Sequence, residues 1–307
     1  MQALKLSNTN DMTREEWLER RKKGIGGSDA AAVAGESKWK SPYAVWLEKT
    51  GQMTPDEPGE AAYWGITLEE LVAQEFAKRT GLKVQKVNNI LRHPQYPWML
   101  ANIDRRIVGQ KAGLECKTTG EYSKDEWTDD KVPTAYLLQC HHYMAVTGYK
   151  EWWIAVLVGG NKFHYKLIPR DEEIIEALIK IESDFWKLVE TMTPPPIDGS
   201  ESSSEILGKL YPEGDASRID VYDDSLFNQL KEAQEAKKTA EANEEELKNK
   251  FKLLMGKSEI VFFDEKPVVT WKNQKENRLD TTRLKAERPE IYKAYVNTKT
   301  IRRFLVK

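Results

Sequence analysis

Helical and strand-like patterns alternate along the chain up to Thr193. Helical spacing of apolar residues, in several cases followed closely by glycine as at a helix end, occurs at 14–21, 28–34, 43–49, 66–80, 134–147 and 171–191. Runs that alternate in polarity, or are rich in β-branched and aromatic residues, occur at 83–89, 99–108, 112–118, 151–158 and 163–168. This alternation predicts an α/β fold.

A proline block followed by polar residues ends this pattern between Thr193 and Ser204. Such composition resists packing and marks a boundary. Beyond it, apolar residues recur mostly at spacings of three and four over 226–254, which predicts a long amphipathic helix that stops at Gly256. A strand pair at 258–263 and 267–272 and a basic, aromatic segment follow. We therefore predict a first domain at 1–193, a linker at 194–223 and a C-terminal extension at 224–307.

Two charged residues stand in the otherwise apolar strand at 112–118. Because alternate side chains of a strand share a face, Glu115 and Lys117 point one way while Leu114 and Cys116 point into the core. If the strand that holds Asp104 lies beside this one, two carboxylates and one ammonium converge, and such oxygen ligands suit Mg²⁺. Taken singly, a Glu-x-Lys pair or an Asp before two arginines is typical of solvent-facing ion pairs. Glu115 and Lys117 occur together in an otherwise apolar run, where burying charges costs free energy unless they are paired or coordinate a metal.

A third carboxylate, Glu69, lies on the flank of the helix at 66–80. Spacing alone does not separate it from Glu70 and Glu75, which fit ordinary exposed charges. The predicted core face of this helix consists of Leu68, Leu71, Val72 and Phe76.

The stretch from Lys23 to Asp29 is rich in glycine and precedes an alanine-rich helix. Glycines there allow close approach of the backbone to an anion, and the free N–H groups at a helix start bind phosphate. The alternative is a plain Ser28 N-cap after a flexible turn. Since the net charge is −2, any nucleic-acid contact must come from local clusters such as the basic run 20–23.

The helix at 134–147 presents Tyr136, Gln139 and Tyr143 at helical spacing. Its adjacent histidines, His141 and His142, point about 100° apart on a helix and lack a third ligand at a convincing spacing. We therefore interpret them as surface or DNA-side residues rather than as a zinc site. The cysteines are Cys116 and Cys140, too few for a disulfide framework or a four-cysteine metal site, and they fit a reducing compartment.

Taken in chain order over roughly 17–192, these motifs resemble the YqaJ viral recombinase family, relatives of the lambda exonuclease within the PD-(D/E)XK superfamily. The matching segments are Trp17 to Arg21, Gly24 to Ala30, Trp64-Gly65 with Glu69, Asp104, Leu114 to Lys117, and Ala135 to Gln139. The resemblance implies a restriction-endonuclease-like core with a central mixed sheet flanked by helices, followed here by an extension with a long helix and a β-hairpin.

The resemblance also implies a role for each site residue. Metal ligation falls to Asp104, Glu115 and the backbone carbonyl of Cys116, with Glu69 completing a two-metal site for Mg²⁺ or Mn²⁺. Lys117 would position the nucleophilic water, and Gln139 would border the site as a further catalytic residue. Arg21 and Ser28 fall where the family receives the 5′-phosphate of a DNA end.

The implied activity is that of an exonuclease that degrades one strand of duplex DNA from 5′ to 3′ and leaves 3′ overhangs. The expected partners are double-stranded DNA ends, a single-strand annealing protein and further copies of the chain in a trimeric ring, in the bacterial or phage-infected cytoplasm and with no membrane span. An endonuclease or resolvase on the same core, and a non-catalytic DNA-binding scaffold, are the alternatives. His141 departs from the family pattern, in which many relatives carry glutamine.

Overall fold

The computed structural model describes residues 3–128, 131–215, 217–218, 224–298 and 301–306. The chain divides into a first unit, Met1–Tyr211, and a second unit, Pro212–Lys307. The first unit contains all of the residues that the sequence assigns to a site.

A mixed five-stranded sheet forms the centre of the first unit. In spatial order its strands are β2 (Val84–Lys86), β5 (Arg105–Ile107), β6 (Ala112–Thr119), β7 (Glu151–Val158) and β8 (Lys162–Pro169). The long neighbours β6 and β7 run parallel, and the remaining pairs are antiparallel. This arrangement confirms the predicted mixed sheet.

Helices cover both faces of this sheet. The helices of the first unit are α1 (Arg14–Arg21), α2 (Gly27–Val33), α3 (Pro42–Lys49), α4 (Glu60–Thr80), α5 (Thr134–Thr147), α6 (Glu172–Glu190) and α7 (Glu201–Leu210), with a 3-10 helix at Glu121–Trp127. Helix α4 lies on one face of the sheet and α5 on the other. Local signals set the ends of the helices. Thr13 and Glu16 form a capping box before α1, and Gly81 and Gly148 end α4 and α5 in the left-handed conformation that glycine favours.

Two apolar layers hold the helices on the sheet. Helix α4 buries Val72, Ala73 and Phe76 against Leu114 and Ala155. Leu71, predicted to share this core face, is 54% exposed instead. The buried face of α4 is therefore narrower than predicted. The opposite face of the sheet packs on α5, whose buried residues include Tyr143 and Met144, with Trp152 and Ile154 beneath them. The site residues of β6 and α5 therefore face one another across this second layer.

The predicted strand at 99–108 is divided between two sheets. Its first part is β4 (Leu100–Ala101), which joins a small sheet in the order β1-β3-β4 with β1 (Leu4–Asn8) and β3 (Asn89–Arg92). Its second part is β5 of the central sheet. The predicted strand at 83–89 is divided in the same way, into β2 and β3. Asp104 consequently lies where the chain enters the central sheet, beside β6.

The predicted linker at 194–223 is corrected over its first part. Helix α7 lies within it, begins at the N-cap Ser200, and packs on α3. The Ser41 backbone N–H donates to Ser202 Oγ at 3.0 Å, and Ile206 is buried in the cluster that contains Val45 and Trp46. The apolar face of α7 packs on α3 although the sequence around α7 is polar. The first unit therefore extends to Tyr211. Positions 216 and 219–223 of the predicted linker lie outside the described residues.

The second unit consists of α8 (Asp224–Met255), the antiparallel hairpin β9 (Ile260–Phe263) and β10 (Lys266–Thr270), and the short helices α9 (Thr281–Glu287) and α10 (Pro289–Tyr295). Asp264 and Glu265 form the hairpin turn with φ of 44° and 63°, as a tight two-residue turn of this hand requires. Met255 is the buried residue of α8 among those described. In the part of the chain that the structure describes, no helix combines the length and apolarity that a membrane crossing demands.

Candidate functional site

Asp104 and β6 are joined by a hydrogen bond. The backbone N–H of Cys116 donates to Asp104 Oδ2 at 2.8 Å. This contact fixes the Asp104 carboxylate against the strand that carries Glu115 and Lys117. The sequence expectation that Asp104 lies beside this strand is confirmed.

Glu115 is almost completely buried and is held through one oxygen. Lys117 Nζ lies 2.6 Å from Glu115 Oε1, and Gln139 Nε2 donates to the same oxygen at 2.7 Å. Gln139 also donates to the hydroxyl of Tyr143 at 3.0 Å. The other oxygen, Glu115 Oε2, is buried and has no hydrogen-bond partner in the described part of the chain. A buried carboxylate oxygen with no donor is costly, so this atom calls for a cation or water.

The charges of Asp104, Glu115 and Lys117 also favour a cation at this site. Burial, together with the nearby carboxylates of Glu115 and Glu69, raises the pKa of Asp104 well above its usual range. Against the opposing effect of burial, Glu115 and Asp104 raise the pKa of the Lys117 ammonium, which is therefore a firm cation at neutral pH. Two carboxylates crowded beside one ammonium leave an excess of negative charge that a divalent ion would relieve.

Glu69 is close to this pair but is engaged elsewhere. Arg105 Nη1 lies 2.5 Å from Glu69 Oε1, and Arg105 Nη2 lies 2.8 Å from Glu70 Oε2. Within the described residues no group of three acidic, histidine or cysteine side chains is arranged to hold a metal ion. The expected convergence of Glu69, Asp104 and Glu115 is therefore not formed, because the buried Arg105 guanidinium draws Glu69 away.

Arg105 is one of the residues that reasoning from the sequence missed. It is 2% exposed, and the sequence analysis gave it no role. The alternation of β5 contains part of the signal: Arg105 shares a face with Ile107, and Ile107 packs on the α4 side of the sheet. Helix α4 carries Glu69, and the packing of α4 on the sheet brings the two side chains together.

The donor set fits a divalent ion of the Mg²⁺ class. Asp104 and Glu115 supply hard oxygen atoms, and one oxygen of Glu115 has no hydrogen-bond partner among the described residues. The backbone carbonyl of Cys116 is the further oxygen that the family resemblance implies. Mg²⁺ usually binds through one or two carboxylates and keeps several waters, so two side chains satisfy it.

A second cluster surrounds Asp29 at the start of α2. Arg21 Nη2 lies 3.0 Å from Ser28 Oγ and 3.0 Å from both Asp29 oxygens. Lys49 Nζ lies 2.7 Å and Lys40 Nζ 3.4 Å from Asp29. The structure thus brings the two predicted phosphate-binding residues together, with Ser28 exposed, and adds two lysines that the sequence did not reveal.

Asp29 organises this cluster. Although burial opposes it, the charges of Arg21, Lys49 and Lys40 hold the pKa of Asp29 well below its usual value. Glu48 pairs with Lys40 at 2.5 Å, so two carboxylates stand among three cations and the cluster keeps one excess positive charge. Ser28 Oγ stands at its exposed edge. The N-cap of α2 is Gly26, whose N–H donates to Asp29 Oδ2 at 3.3 Å, so the Ser28 N-cap alternative is wrong.

Two glycines of this loop are required by close approach. A Cβ on Gly24 would lie 2.4 Å from the Trp98 carbonyl oxygen, and one on Gly27 would lie 2.3 Å from the ring of Tyr143. Tyr143 is the residue whose hydroxyl accepts from Gln139. The glycine loop and the Glu115 site are therefore in contact through a single buried ring.

The prediction that His141 and His142 lie at the surface is wrong. Both are buried, because α5 is covered by the sheet, by α2 and by α6. His142 Nδ1 lies 2.7 Å from Glu182 Oε1 and its Nε2 lies 2.8 Å from the Leu100 carbonyl oxygen. These contacts make His142 a structural residue.

Comparison with solved structures agrees with this architecture. The crystal structure of an alkaline exonuclease (LHK-Exo) from Laribacter hongkongensis matches with a TM-score of 0.51 and 20% identity over 64% of this chain and 100% of that one. The structure of LHK-Exo in complex with dAMP matches equally, with a TM-score of 0.51. The mixed sheet flanked by helices, with Asp104 at the entry to β5 and Glu115 and Lys117 on β6, has the PD-(D/E)XK fold.

The chain belongs to the YqaJ-like viral recombinase family. The model of the YqaJ-like viral recombinase domain matches residues 16–150. The protein YqaJ of Bacillus subtilis (strain 168) is 41% identical over 309 residues, which cover 98% of this chain and 97% of that protein. The match therefore extends through the second unit as well as the nuclease core.

Proposed function

We propose that the chain is a divalent-metal-dependent exonuclease that digests one strand of duplex DNA from 5′ to 3′ and leaves 3′ overhangs for phage-type homologous recombination. The observation that carries the proposal is the buried, unpartnered oxygen of Glu115, in a carboxylate whose other oxygen is held by Lys117 and Gln139. Buried Glu182, in its pair with His142, also has an oxygen without a hydrogen-bond partner among the residues that the structure describes. Glu115 differs from it because the carboxylate of Asp104 lies close to Glu115. One prepared oxygen beside Asp104 suits a metal ligand.

Each side chain has a distinct part in this proposal. Asp104 and Glu115, with the Cys116 carbonyl, hold Mg²⁺ or Mn²⁺, which when bound lowers the pKa of a water and stabilises charge on the departing oxygen. Lys117 donates hydrogen bonds to the attacking water or to the scissile phosphate. Gln139 keeps Glu115 oriented. Glu69 remains a predicted ligand of a second ion, a role that requires its carboxylate to leave Arg105.

The positive cluster around Asp29 supports a preference for DNA ends. Arg21 and Ser28 lie in hydrogen-bond contact, so one phosphate could accept from both. We propose that they receive the 5′-phosphate of the strand being digested. LHK-Exo, an alkaline exonuclease of similar fold, is known in complex with dAMP, which supports a nucleotide as a ligand of this fold.

Assembly and partners follow from the family resemblance. We propose a trimeric ring around DNA, which would explain processive digestion by a chain of net charge −2, and delivery of the 3′ overhang to a single-strand annealing protein in the cytoplasm.

The proposal is tested by incubating linear and closed circular duplexes with Mg²⁺, with and without chelator. Loss of linear DNA alone, abolished by the chelator, supports an exonuclease. Cutting of circles would indicate an endonuclease, and DNA binding without cleavage would indicate a scaffold. Duplexes labelled at one 5′ or one 3′ end report the polarity, because 5′ to 3′ digestion releases the 5′ label first.

A further inference from the structure

An aromatic stack leads from the core to the surface beside the Glu115 site. Trp127 is 1% exposed at its inner end, and Trp39 is 66% exposed at its outer end. Tyr136 lies between them, 5.5 Å from Trp127 with an interplanar angle of 27°, and 6.1 Å from Trp39 with an angle of 29°. Most of the surface of Trp39 is therefore accessible to solvent.

The stack touches the predicted catalytic residues. Lys117 Nζ lies 4.9 Å from the centroid of the Tyr136 ring. Tyr136 belongs to α5, one turn before Gln139, so the middle ring of the stack and the Glu115 site share a helix. Anything that stacks on Trp39 therefore lies one ring beyond a residue in contact with Lys117.

The loop that carries Trp39 makes one ion pair with a neighbouring element and two local hydrogen bonds. Lys38 pairs with Glu126 at 2.8 Å, next to Trp127. Ser37 Oγ accepts hydrogen bonds from the backbone N–H groups of Trp39 and Lys40 at 3.2 and 3.3 Å. Contacts of this kind lower the entropic cost of orienting the exposed ring when a ligand arrives.

The residue after Trp39 belongs to the positive cluster. Lys40 Nζ lies 3.4 Å from Asp29 Oδ1 and 2.5 Å from Glu48 Oε2. Through Asp29, which Arg21 also binds, the loop of Trp39 is joined to the predicted phosphate-binding residues Arg21 and Ser28. Phosphate and nucleobase are joined by a sugar in a nucleotide, so the exposed ring of this loop offers a contact for the base of a nucleotide whose phosphate lies at Arg21 and Ser28.

We propose that Trp39 stacks on the nucleobase of the 5′-terminal nucleotide of the DNA end, and so positions that strand for hydrolysis. The proposal rests on the function proposed above. Every base has a π-face, so this contact would be tolerant of sequence, as a general exonuclease needs. Trp39 is a substrate-binding residue in this scheme, and the reacting atoms remain with Glu115, Asp104 and Lys117.

The test measures binding of the full chain to a DNA hairpin with a single free, 5′-phosphorylated end, with Ca²⁺ replacing Mg²⁺ under conditions in which no product forms. The 5′-terminal nucleotide is either normal or abasic. We expect the wild-type chain to bind the normal end more tightly, by roughly 5- to 150-fold for the loss of one base–aromatic stack. Trp39→Ala should abolish this preference, and Trp39→Phe should restore part of it.

Tyr122→Ala is the matched control, because Tyr122 is a fully exposed aromatic residue of the same 3-10 helix as Trp127. It should keep the full preference for the normal base. The inference is overturned if Trp39→Ala retains the preference, if Tyr122→Ala loses it equally, or if the wild-type chain binds both ends alike. A wild-type chain that neither binds DNA ends nor digests linear DNA would instead overturn the proposed function.

Discussion

Gly27→Ala is expected to destabilise the first unit and to impair the site at the same time. The added Cβ would lie 2.3, 2.7 and 2.9 Å from three atoms of the Tyr143 ring, whereas carbon atoms in contact stand about 3.5–4.0 Å apart. The ring must therefore shift by about 1 Å, although it is buried and packs 5.2 Å from Trp152. Overpacking of this kind costs about 1–3 kcal/mol.

The same shift reaches the catalytic carboxylate. The Tyr143 hydroxyl accepts from Gln139, which donates to Glu115, so a displaced ring disturbs the orientation of the predicted metal ligand. For a unit of this size each kcal/mol lowers Tm by about 2–4 °C, so we expect a fall of about 2–12 °C. Thermal unfolding followed by circular dichroism measures it, and a nuclease assay on linear DNA should show slower cleavage.

Gly65→Ala is the matched control for stability. Gly65 lies inside α4, and a Cβ there would meet only Thr118 Oγ1, at 3.9 Å, an ordinary contact. Replacing glycine in a helix interior by alanine stabilises by about 0.5–1 kcal/mol, so Tm should rise by about 1–4 °C. If Gly27→Ala were as stable as Gly65→Ala, the close approach between α2 and Tyr143 would be refuted.

Four further predictions follow from the contacts of the site and the core. Lys117→Ala should abolish hydrolysis while gel-shift binding of DNA survives; robust residual cleavage would contradict its role. Wild-type digestion should be slower on duplexes without a 5′-phosphate, and Arg21→Ala should remove the difference; equal wild-type rates would exclude the assignment. Gln139→Leu should raise the Mg²⁺ concentration needed for half-maximal cleavage, and an unchanged Mg²⁺ titration would show that Gln139 does not orient the metal ligand. Against the lowering effect of burial, Glu182 raises the pKa of His142, so the stabilisation by this pair is full below about pH 6.5 and is lost as pH rises through the folded-state pKa. In urea unfolding, Glu182→Gln should therefore lower the free energy of unfolding more at pH 6 than at pH 9. An effect of the same size at both pH values would count against a charged His142.

Local patterns predicted the regular elements well. The helices Arg14–Arg21 and Thr134–Thr147 and the strand Glu151–Val158 have the bounds that periodicity and glycine positions predicted. These elements carry their own start and stop signals, which act over a few residues. The prediction of one strand at 99–108 was wrong because a polarity pattern does not say which neighbour a strand will pair with. Here the two ends of the segment pair in different sheets.

Contacts between distant segments were beyond such patterns. Lys49 and Asp29 are twenty positions apart in the chain and form a buried pair at 2.7 Å, which no spacing rule predicts. His142 is buried because α6 brings Glu182 against it, forty positions away. Helix α7 was not predicted because the sequence around it is polar, and because its packing depends on the face that α3 presents.

The sequence by itself determined the alternation of helices and strands, the shared face of Glu115 and Lys117, and the residue types that suit a divalent ion, because these follow from the geometry of one strand or one helix. Only the tertiary structure decided that Asp104 is tied to the backbone of Cys116, that Arg105 holds Glu69 apart from the other carboxylates, and that Glu115 keeps one oxygen without a partner. Those outcomes depend on charged groups that come from different elements and compete for the same partners. Burial and distance in the folded chain decide which of these contacts form.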